Sequence, residues 1–313
     1  MCLSSNVVYI ALLQTIRRYR SQTPFNSSFF TFATHLGLLD LVHLDIEWIF
    51  LRFPMFGWLN MHKAVMVSPV LIATLSHTVA WFTALAQITA CALIALNRVS
   101  VIGYEIVWSR RTVQVCVWLL WLVPMMVCAP MLIVGQMEYV STPDGRGVLL
   151  RWRNTIAQTI YFSGCVIWCA ASATTSGVLY IITFIRVRRQ SNEARLSGNP
   201  TSKTAELKLL LVGVVLLILT ILYAIYCFLL SIIGNDPQLL ALAFLYQLIH
   251  SDVYSWINPY LLLMCSPTLR SHFKAVISCT PETMDTAADE DSKVASTVRI
   301  RNHAESLVLE NVE

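Results

Sequence analysis

An uncharged run of 28 residues, 69–96, constrains this chain more than any other feature of its sequence. The run contains no Lys, Arg, Asp or Glu, and it ends at Asn97-Arg98. About 20 apolar residues allow an α-helix to cross the roughly 30 Å hydrocarbon core of a bilayer, so this run is long enough even if it is tilted. The sequence therefore predicts a transmembrane helix that ends with an arginine at one membrane surface.

The composition indicates that most of the chain is built from such helices. Charged residues make up 13% of the chain and hydrophobic residues 56%, whereas soluble domains contain about 25% charged residues. We predict an all-α, seven-transmembrane helix bundle within residues 1–279. Its spans are predicted at about residues 2–16, 28–51, 69–97, 112–135, 154–185, 209–235 and 238–264.

The first span is short. Its 15 residues, 2–16, reach only about 22 Å, so we interpret it as a first helix whose outer turns are truncated. An uncleaved signal-like segment is the alternative. Signal peptides carry their positive charges before the apolar run, whereas here Arg17, Arg18 and Arg20 follow it.

The distribution of basic residues predicts the orientation of the bundle. Cytoplasmic loops carry an excess of Lys and Arg, and most of the 22 basic residues fall after spans one, three and five and in the C-terminal tail. The five on the opposite side are Arg52, Lys63, Arg146, Arg151 and Arg153. We therefore expect the N-terminus outside and the tail in the cytoplasm. The sequon at Asn26 then faces the cytoplasm and should carry no glycan, and a net charge of +4 requires no nucleic-acid partner.

The C-terminal region is predicted to lie at the membrane surface. Within residues 267–279, Leu269 and Phe273 share an apolar face, which is typical of a short amphipathic helix on a leaflet. Residues 280–313 are polar and are predicted to form a disordered cytoplasmic tail. Cys265 and Cys279 flank the amphipathic segment, and either palmitoylation or free thiols fit that position. The predicted outer loops contain no Cys, so no outer disulfide is expected.

Ionisable residues inside the predicted spans need partners, because a charge within lipid is costly. Asp40, His43 and Glu47 are spaced i, i+3 and i+7, so they lie on one helical face that we expect to point inward. In the last span, Pro259 cannot donate to the Ser255 carbonyl, which predicts a kink beside Asn258. Asp40 and Asn258 either pair only to satisfy each other or take part in a switch.

Several short motifs, together with the seven spans, resemble those of G-protein-coupled receptors. They are Leu36-Gly37-Leu38-Leu39-Asp40 in span two, Asn97-Arg98 at the end of span three and Asn258-Pro259-Tyr260 in span seven. A closer resemblance is to the nematode serpentine chemoreceptors of class gamma and class V. It rests on residues 96–100, residues 104–108, and residues 258–266 followed by Arg270, and it covers about residues 7–275.

The same motifs also depart from most rhodopsin-like receptors. Asn97 stands where those receptors have an acidic residue, so Arg98 cannot form the local ion pair. Leu263 replaces the tyrosine of the Asn-Pro-x-x-Tyr pattern, and span six has no proline near Tyr223. These departures favour the chemoreceptor resemblance over an amine or peptide receptor.

The resemblance implies a chemosensory receptor of the plasma membrane, in a sensory cilium, that activates a heterotrimeric G protein by ligand-biased packing of two bundle states. Arg98 would line a cytoplasmic cavity that opens for the C-terminal helix of a Gα subunit, while simple snorkelling to lipid is the alternative. The residues implied in coupling or switching are Asn97, Arg98, Asp40, Asn258, Pro259 and Tyr260.

A ligand site is expected in the outer half of the bundle. Its ligand would be a small environmental or pheromone-like molecule, or a peptide, and no cofactor or metal is predicted. Polar and aromatic residues at similar depth on several helices give the candidates Glu47, His77, Trp81, Gln247 and His250.

Other functional classes fit less well. A retinal protein needs a lysine in the last span, and residues 238–264 contain none. The sequence has no His-Glu-x-x-His or Gly-x-Gly-Asp string, so no enzyme is predicted. A transporter that uses Asp40, Glu47 and Asp252 as an ion path is the alternative, although the sequence has no internal repeat or paired broken helices.

Overall fold

The computed structural model describes residues 2–104, 106–134, 137–142, 145–196, 203–233 and 236–278. Seven long helices lie within them: α1 (Cys2–Arg18), α2 (Ser28–Glu47), α3 (Pro69–Arg98), α4 (Arg110–Val134), α5 (Thr155–Leu196), α6 (Lys203–Ile233) and α7 (Pro237–Cys265). Helix α3 is central, since it packs against α2, α4, α5 and α6. The predicted helical bundle is confirmed.

Five of these helices, α2 to α6, are long and apolar enough to cross a membrane. Helix α1 has 17 residues, about 26 Å of helix. Helix α7 has 29 residues, but buried polar residues such as Ser251, Ser255 and Asn258 interrupt its apolar character. The polar residues of α7 point to contacts inside the bundle rather than with lipid.

Helices α5 and α6 extend beyond the predicted membrane spans. The sequence analysis placed residues 186–208 in a connection, but α5 continues to Leu196 and α6 begins at Lys203. Charged residues end a membrane span without ending a helix, because Arg, Lys and Glu are good helix formers. Residues 197–202 lie outside the described residues.

Helix α2 does not stop at its predicted end. It continues through a π-helical turn, Trp48–Arg52, and a helical turn, Phe53–Met55. Arg52 was predicted in an outer loop, yet it is only 6% exposed and lies inside this helical extension. The prediction was wrong because charge alone suggested an exit from the membrane, whereas a partner on α7 accommodates the guanidinium.

An antiparallel hairpin, which the sequence analysis did not predict, follows α4. Strand β1 (Met137–Ser141) pairs with β2 (Val148–Trp152), and Met137 lies opposite Trp152. The hairpin packs closely on the end of α2, since a Cβ added to Gly147 would lie 1.9 Å from the Met55 carbonyl oxygen. We call this end of the bundle the hairpin end and the opposite one the Arg98 end.

Two hydrophobic clusters fill the bundle. The first lies toward the hairpin end and includes Trp81, Trp152 and Tyr223. The second lies toward the Arg98 end and includes Leu36 and Leu120. Buried polar residues of α2, α3 and α7 lie between and beside these clusters, and they define the candidate site.

A second unit of the chain begins at Thr268. It contains nearly all of α8 (Pro267–Ser278), in which Leu269 and Phe273 are spaced i and i+4. This spacing puts both on one face of the helix, as the sequence analysis expected. Cys279 and the predicted tail, 280–313, lie outside the described residues.

Candidate functional site

One face of α2 supplies three buried ionisable side chains. Asp40, His43 and Glu47 are 0%, 5% and 1% exposed. Their spacing along the helix directs them inward toward α3 and α7. Each takes part in hydrogen bonding that joins helices distant in sequence.

Asp40 joins four helices through a set of contacts that we call the Asp40 cluster: Tyr9, Asp40, Gln87, Ser255 and Asn258. The Gln87 Nε2 donates to Asp40 Oδ1 at 2.6 Å, and the Asn258 Nδ2 donates to Oδ2 at 3.0 Å. The Tyr9 hydroxyl also hydrogen bonds with Oδ2. Asp40 and Asn258 therefore pair, within a larger network that includes α1 and α3.

Tyr9 makes a second contact in this cluster. Its hydroxyl shares its one hydrogen between Asp40 Oδ2 and the Ser255 carbonyl oxygen, which lies 2.8 Å away. Pro259, four residues farther along α7, has no N–H with which to satisfy that carbonyl. The sequence analysis identified the released carbonyl but not Tyr9, because nothing in the sequence indicates which residue of a distant helix will approach it.

A second set of contacts, the Glu47 cluster, comprises His43, Glu47, Tyr226, Gln247 and Ser251. The Gln247 Nε2 donates to Glu47 Oε1 at 2.9 Å, and the Ser251 hydroxyl donates to Oε2. The Tyr226 hydroxyl donates to Gln247 Oε1 at 2.6 Å, and His43 Nε2 lies 3.4 Å from Glu47 Oε1. These contacts connect α2, α6 and α7.

A small cavity lies between the two clusters. Its volume is about 20 Å³, and about 10–15 Å³ is enough for one water molecule. The cavity can therefore hold water but no larger ligand in this conformation. Its lining residues are His43, Glu47, Ala84, Gln87, Ile88, Tyr223, Gln247, His250, Ser251 and Tyr254.

An aromatic cluster connects this cavity to the hairpin. The His77 ring lies 5.4 Å from the Trp81 ring and 6.1 Å from the Trp152 ring of β2, between ring centroids. Trp81 lies 5.8 Å from Tyr223, and Tyr223 stacks on His250 at 5.3 Å. The five residues predicted to bind ligand thus belong to one connected region, in which Tyr223 joins the aromatic and polar parts.

Two nitrogen atoms in this aromatic cluster lack a protein partner. Among the described residues, neither His77 Nε2 nor Trp81 Nε1 has a hydrogen-bond partner. Both residues are buried, since His77 is 4% exposed and Trp81 is 1% exposed. A buried polar group without a partner costs about 1–3 kcal/mol. A ligand that supplies the missing partner would recover this energy.

The hairpin is fixed over the aromatic cluster by Tyr139 of β1. The Tyr139 hydroxyl donates to the Phe50 carbonyl oxygen at 2.6 Å and lies 3.3 Å from Ser76 Oγ. Burial raises the pKa of Tyr139 to about 12, so the hydroxyl keeps its proton. Pro54 cannot donate an amide to the Phe50 carbonyl, four residues before it, and Tyr139 supplies a donor instead.

Ion pairs also stabilise the hairpin. Glu138 accepts from Arg151 Nη2 at 2.7 Å and from Arg153 Nε at 2.8 Å. The hydrogen bonds from Arg151 and Arg153 hold the pKa of Glu138 below its ordinary value of 4.5. These contacts connect Glu138 of β1 with Arg151 of β2 and with Arg153, which follows β2.

The predicted switch residues do not form one group. Asp40 and Asn258 lie in the Asp40 cluster, and Pro259 is buried next to it in α7, whereas Tyr260 is 42% exposed. At the Arg98 end, the first residues of α2 provide the contacts instead. Ser28 Oγ donates to Asn97 Oδ1 at 2.6 Å, and the Arg98 guanidinium carbon lies 4.0 Å from the centre of the Phe29 ring.

Asp252 has a partner that the transporter alternative did not anticipate. Arg52 Nη1 lies 2.7 Å from Asp252 Oδ2, and Arg52 Nη2 lies 2.6 Å from Oδ1. The same Nη2 donates to the Leu248 carbonyl oxygen at 2.6 Å, and the guanidinium lies over the Trp48 ring. Because an arginine neutralises it, Asp252 supplies no free carboxylate to an ion path.

Of the two predicted palmitoylation sites, only Cys265 lies within the described residues. Cys265 forms no disulfide with another described residue, and it is only 6% exposed. A thiol buried to this extent is poorly placed for acylation in this conformation. Cys279 lies outside the described residues, so palmitoylation at either position stays a prediction.

Comparison with known proteins identifies the family. Residues 1–279 match the family described as serpentine type 7TM GPCR chemoreceptor Srv. The fold is similar to the crystal structure of squid rhodopsin, with a TM-score of 0.66 and 15% sequence identity over 92% of this chain and 88% of that chain. No curated protein sequence gives a significant match. The family match covers most of the chain, which therefore belongs to the serpentine type 7TM GPCR chemoreceptor Srv family.

Proposed function

We propose that this chemosensory receptor binds a small molecule between the hairpin and the Glu47 cluster and activates a Gα subunit at the Arg98 end. The observation that carries the ligand site is the pair of buried, unpartnered nitrogens, His77 Nε2 and Trp81 Nε1, beside a polar cavity. The family supports ligand binding and G-protein coupling in general terms. The location and chemistry of the ligand are our proposal.

The surroundings of these nitrogens favour a compact ligand with one hydrogen-bond acceptor. Trp81 Nε1–H can only donate, and His77 Nε2 donates in one tautomer. The rings of Trp152, Tyr161 and Phe162 surround Trp81 and His77, with centroid distances of 5.0–6.1 Å. A small ketone, ester, ether or heteroaromatic compound combines an acceptor with the apolar surface that these rings require.

The cavity is too small for such a ligand in the described conformation, so binding requires a second conformation. Movement of the hairpin would withdraw Trp152, and rotation of Tyr223 would join the aromatic cluster to the Glu47 cluster. A ligand shifts the equilibrium between two conformations only through its different affinity for them. The unpartnered nitrogens provide that difference, because they gain a partner only in the ligand-bound conformation.

Arg98 is positioned to respond to such a change. Its cation–π contact with Phe29 contributes about 0.5–1 kcal/mol at an exposed site. The residue immediately before Arg98 is Asn97 rather than an acidic residue. We propose that Arg98 leaves Phe29 and binds the C-terminal helix of Gα when the bundle opens.

A ligand screen tests the proposed pocket. Purified full-length receptor is heated with a panel of small acceptor-containing compounds, and hits are scored by the rise in unfolding temperature. Trp81→Phe keeps an aromatic ring but removes the N–H. We expect the apparent affinity of each hit, derived from its thermal shift, to be at least tenfold lower for this variant, which corresponds to about 1.4 kcal/mol. If hits stabilise Trp81→Phe as well as the unmodified chain, the pocket is wrong.

Trp168→Phe is the matched control for this screen. Among the described residues, Trp168 Nε1 also lacks a hydrogen-bond partner, but Trp168 takes part in none of the ring contacts described above for His77 and Trp81. The control should keep full ligand stabilisation. Equal loss in both variants would mean that replacing an indole weakens the fold rather than the pocket.

We also propose that the N-terminus faces outward and that the receptor functions in the sensory cilia of a nematode neuron. A C-terminally tagged copy expressed from its own locus should accumulate in those cilia. Retention in the endoplasmic reticulum would contradict a role as a cell-surface receptor.

A further inference from the structure

An open groove between α1 and α2 is separate from the proposed ligand site. Its volume is about 420 Å³, and its walls carry the apolar side chains of Ile10, Leu13, Leu38 and Leu41. Ile10 is 47% exposed and Leu38 is 40% exposed, so the groove opens away from the bundle interior. Two arginines, Arg17 and Arg20, line its end near the connection between the helices.

The groove is a built feature rather than a gap between loose helices. Phe25, from the connection, packs against Tyr19 at 6.1 Å and against Phe30 at 5.0 Å between ring centroids. Backbone hydrogen bonds fold the connection onto itself, from Asn26 N to Gln22 O at 3.2 Å and from Ser27 N to Pro24 O at 3.1 Å. These contacts hold Arg20 at the end of the groove.

The polar part of the wall is also fixed. Trp121 Nε1 of α4 donates to His35 Nδ1 at 3.2 Å, which holds the His35 ring in the groove wall. The Thr34 hydroxyl donates to the Phe30 carbonyl oxygen at 2.7 Å, so its hydrogen is already used. None of the residues that line the groove carries a carboxylate that would repel an anion.

The charged residues that line the groove are all positive. Arg17 and Arg20 are exposed, and the first 39 residues of the chain contain no Asp or Glu. The first acidic residue, Asp40, is fully buried in its own cluster. Two guanidinium groups at the end of an apolar groove match a phosphate attached to an acyl chain, because arginine binds phosphate with paired N–H donors.

We propose that this groove binds one anionic phospholipid, with its phosphate at Arg17 and Arg20 and an acyl chain along Ile10, Leu13, Leu38 and Leu41. Anionic lipids are concentrated in the cytoplasmic leaflet and are bound by basic residues at that surface. The proposal rests on the proposed orientation, which places Arg17 and Arg20 at this leaflet. It is independent of the ligand and of the Gα partner.

Native mass spectrometry of the purified full-length receptor tests the proposal. The receptor is titrated with phosphatidylserine and, separately, with phosphatidylcholine of the same acyl chains. We expect one phosphatidylserine molecule to be retained preferentially. Each arginine contributes about fivefold to anionic lipid affinity, so R17Q/R20Q should weaken that binding about 25-fold. Equal retention of the two lipids would overturn the proposal.

A charge-matched variant, R18Q/R110Q, separates a site from general surface charge. Arg18 and Arg110 are exposed arginines that do not line the groove, and removing them changes the net charge equally. This variant should bind phosphatidylserine like the unmodified chain. An equal loss in both double variants would mean that diffuse charge attracts the lipid, and the groove would have no specific role.

The acyl chain has its own test. L13W fills the groove without changing its charge, so we expect this variant to retain less phosphatidylserine. In a separate competition with the unmodified chain, soluble glycerophosphoserine, which has no acyl chain, should not displace the lipid. Displacement of the lipid by glycerophosphoserine, or unchanged binding by L13W, would show that only a phosphate site exists there. Size-exclusion elution and unfolding temperature establish that each variant is folded. Glycan mapping at Asn26 checks the orientation separately, so failure of the lipid site and failure of the orientation are distinguishable.

Discussion

The Tyr9 hydroxyl donates to the Ser255 carbonyl oxygen at 2.8 Å, the acceptor that Pro259 leaves without its helical amide partner. The Tyr139 hydroxyl forms the same relationship with Phe50, four residues before Pro54, at 2.6 Å. In both places a tyrosine from another element binds a carbonyl that a proline has released. The prolines can therefore interrupt α2 and α7 without leaving these buried acceptors unsatisfied.

Tyr9→Phe should lower the free energy of unfolding by about 1–2 kcal/mol, because two buried acceptors, Asp40 Oδ2 and the Ser255 carbonyl, lose the donor that they share. Pro259→Ala restores an amide donor to α7, so the cost of Tyr9→Phe should fall by about half in that background. Thermal unfolding of the four variants in nanodiscs measures this coupling. An equal cost in both backgrounds would show that the Ser255 carbonyl does not depend on Tyr9.

Gly147→Ala should displace the hairpin, because the new Cβ would lie 1.9 Å from the Met55 carbonyl oxygen. Hydrogen exchange of the backbone amides in β1 and β2 should become at least tenfold faster. Gly164→Ala on α5 is the control, since its Cβ meets nothing within 4 Å. Unchanged exchange in Gly147→Ala would mean that the hairpin does not rest on the end of α2.

Hairpin stability should depend on pH through Glu138. Its pKa in the folded protein lies below 4.5 because Arg151 and Arg153 bind the carboxylate, so its contribution is complete above about pH 4.5 and is lost as the pH falls through the folded pKa. The effect should be small because both arginine side chains are 47% exposed, so solvent screens the pairs. Hydrogen exchange of the β1 amides between pH 6 and 3, corrected for the intrinsic exchange rate, measures this pH dependence. Glu138→Gln should abolish the pH dependence.

Glycan mapping tests the orientation. Asn26 is exposed in the connection between α1 and α2, which we place in the cytoplasm, so endoglycosidase should not change the mass of the expressed protein. His62→Thr creates a second sequon at Asn60, in the connection between α2 and α3, and that variant should gain a removable glycan. A glycan on Asn26 in the unmodified chain would reverse the orientation.

The sequence predicted much of the bundle, because apolar runs and helical spacing are local properties. The spacing of Asp40, His43 and Glu47 was sufficient to place all three in the interior. The hairpin was not predicted, since its packing depends on the approach of Gly147 to Met55, which are far apart in sequence. The end of α5 was also placed too early, because a membrane boundary was taken as a helix boundary.

The candidate site was predicted in part for the same reason. Glu47, Gln247 and His250 were recognised as polar residues at similar depth, and they lie around one cavity. Tyr223, which joins that cavity to Trp81, gave no signal because an aromatic residue in an apolar span usually only packs in the core. Trp152 was missed because its place depends on the hairpin.

The most direct test of the central claim is nucleotide exchange on purified Gα, catalysed by the receptor with and without a ligand from the screen. The ligand should accelerate exchange by the unmodified receptor. Arg98→Ala should show the same ligand-induced thermal shift but no acceleration, while Arg18→Ala should behave like the unmodified chain. Equal acceleration by Arg98→Ala would contradict the proposal that ligand binding acts on Gα through Arg98.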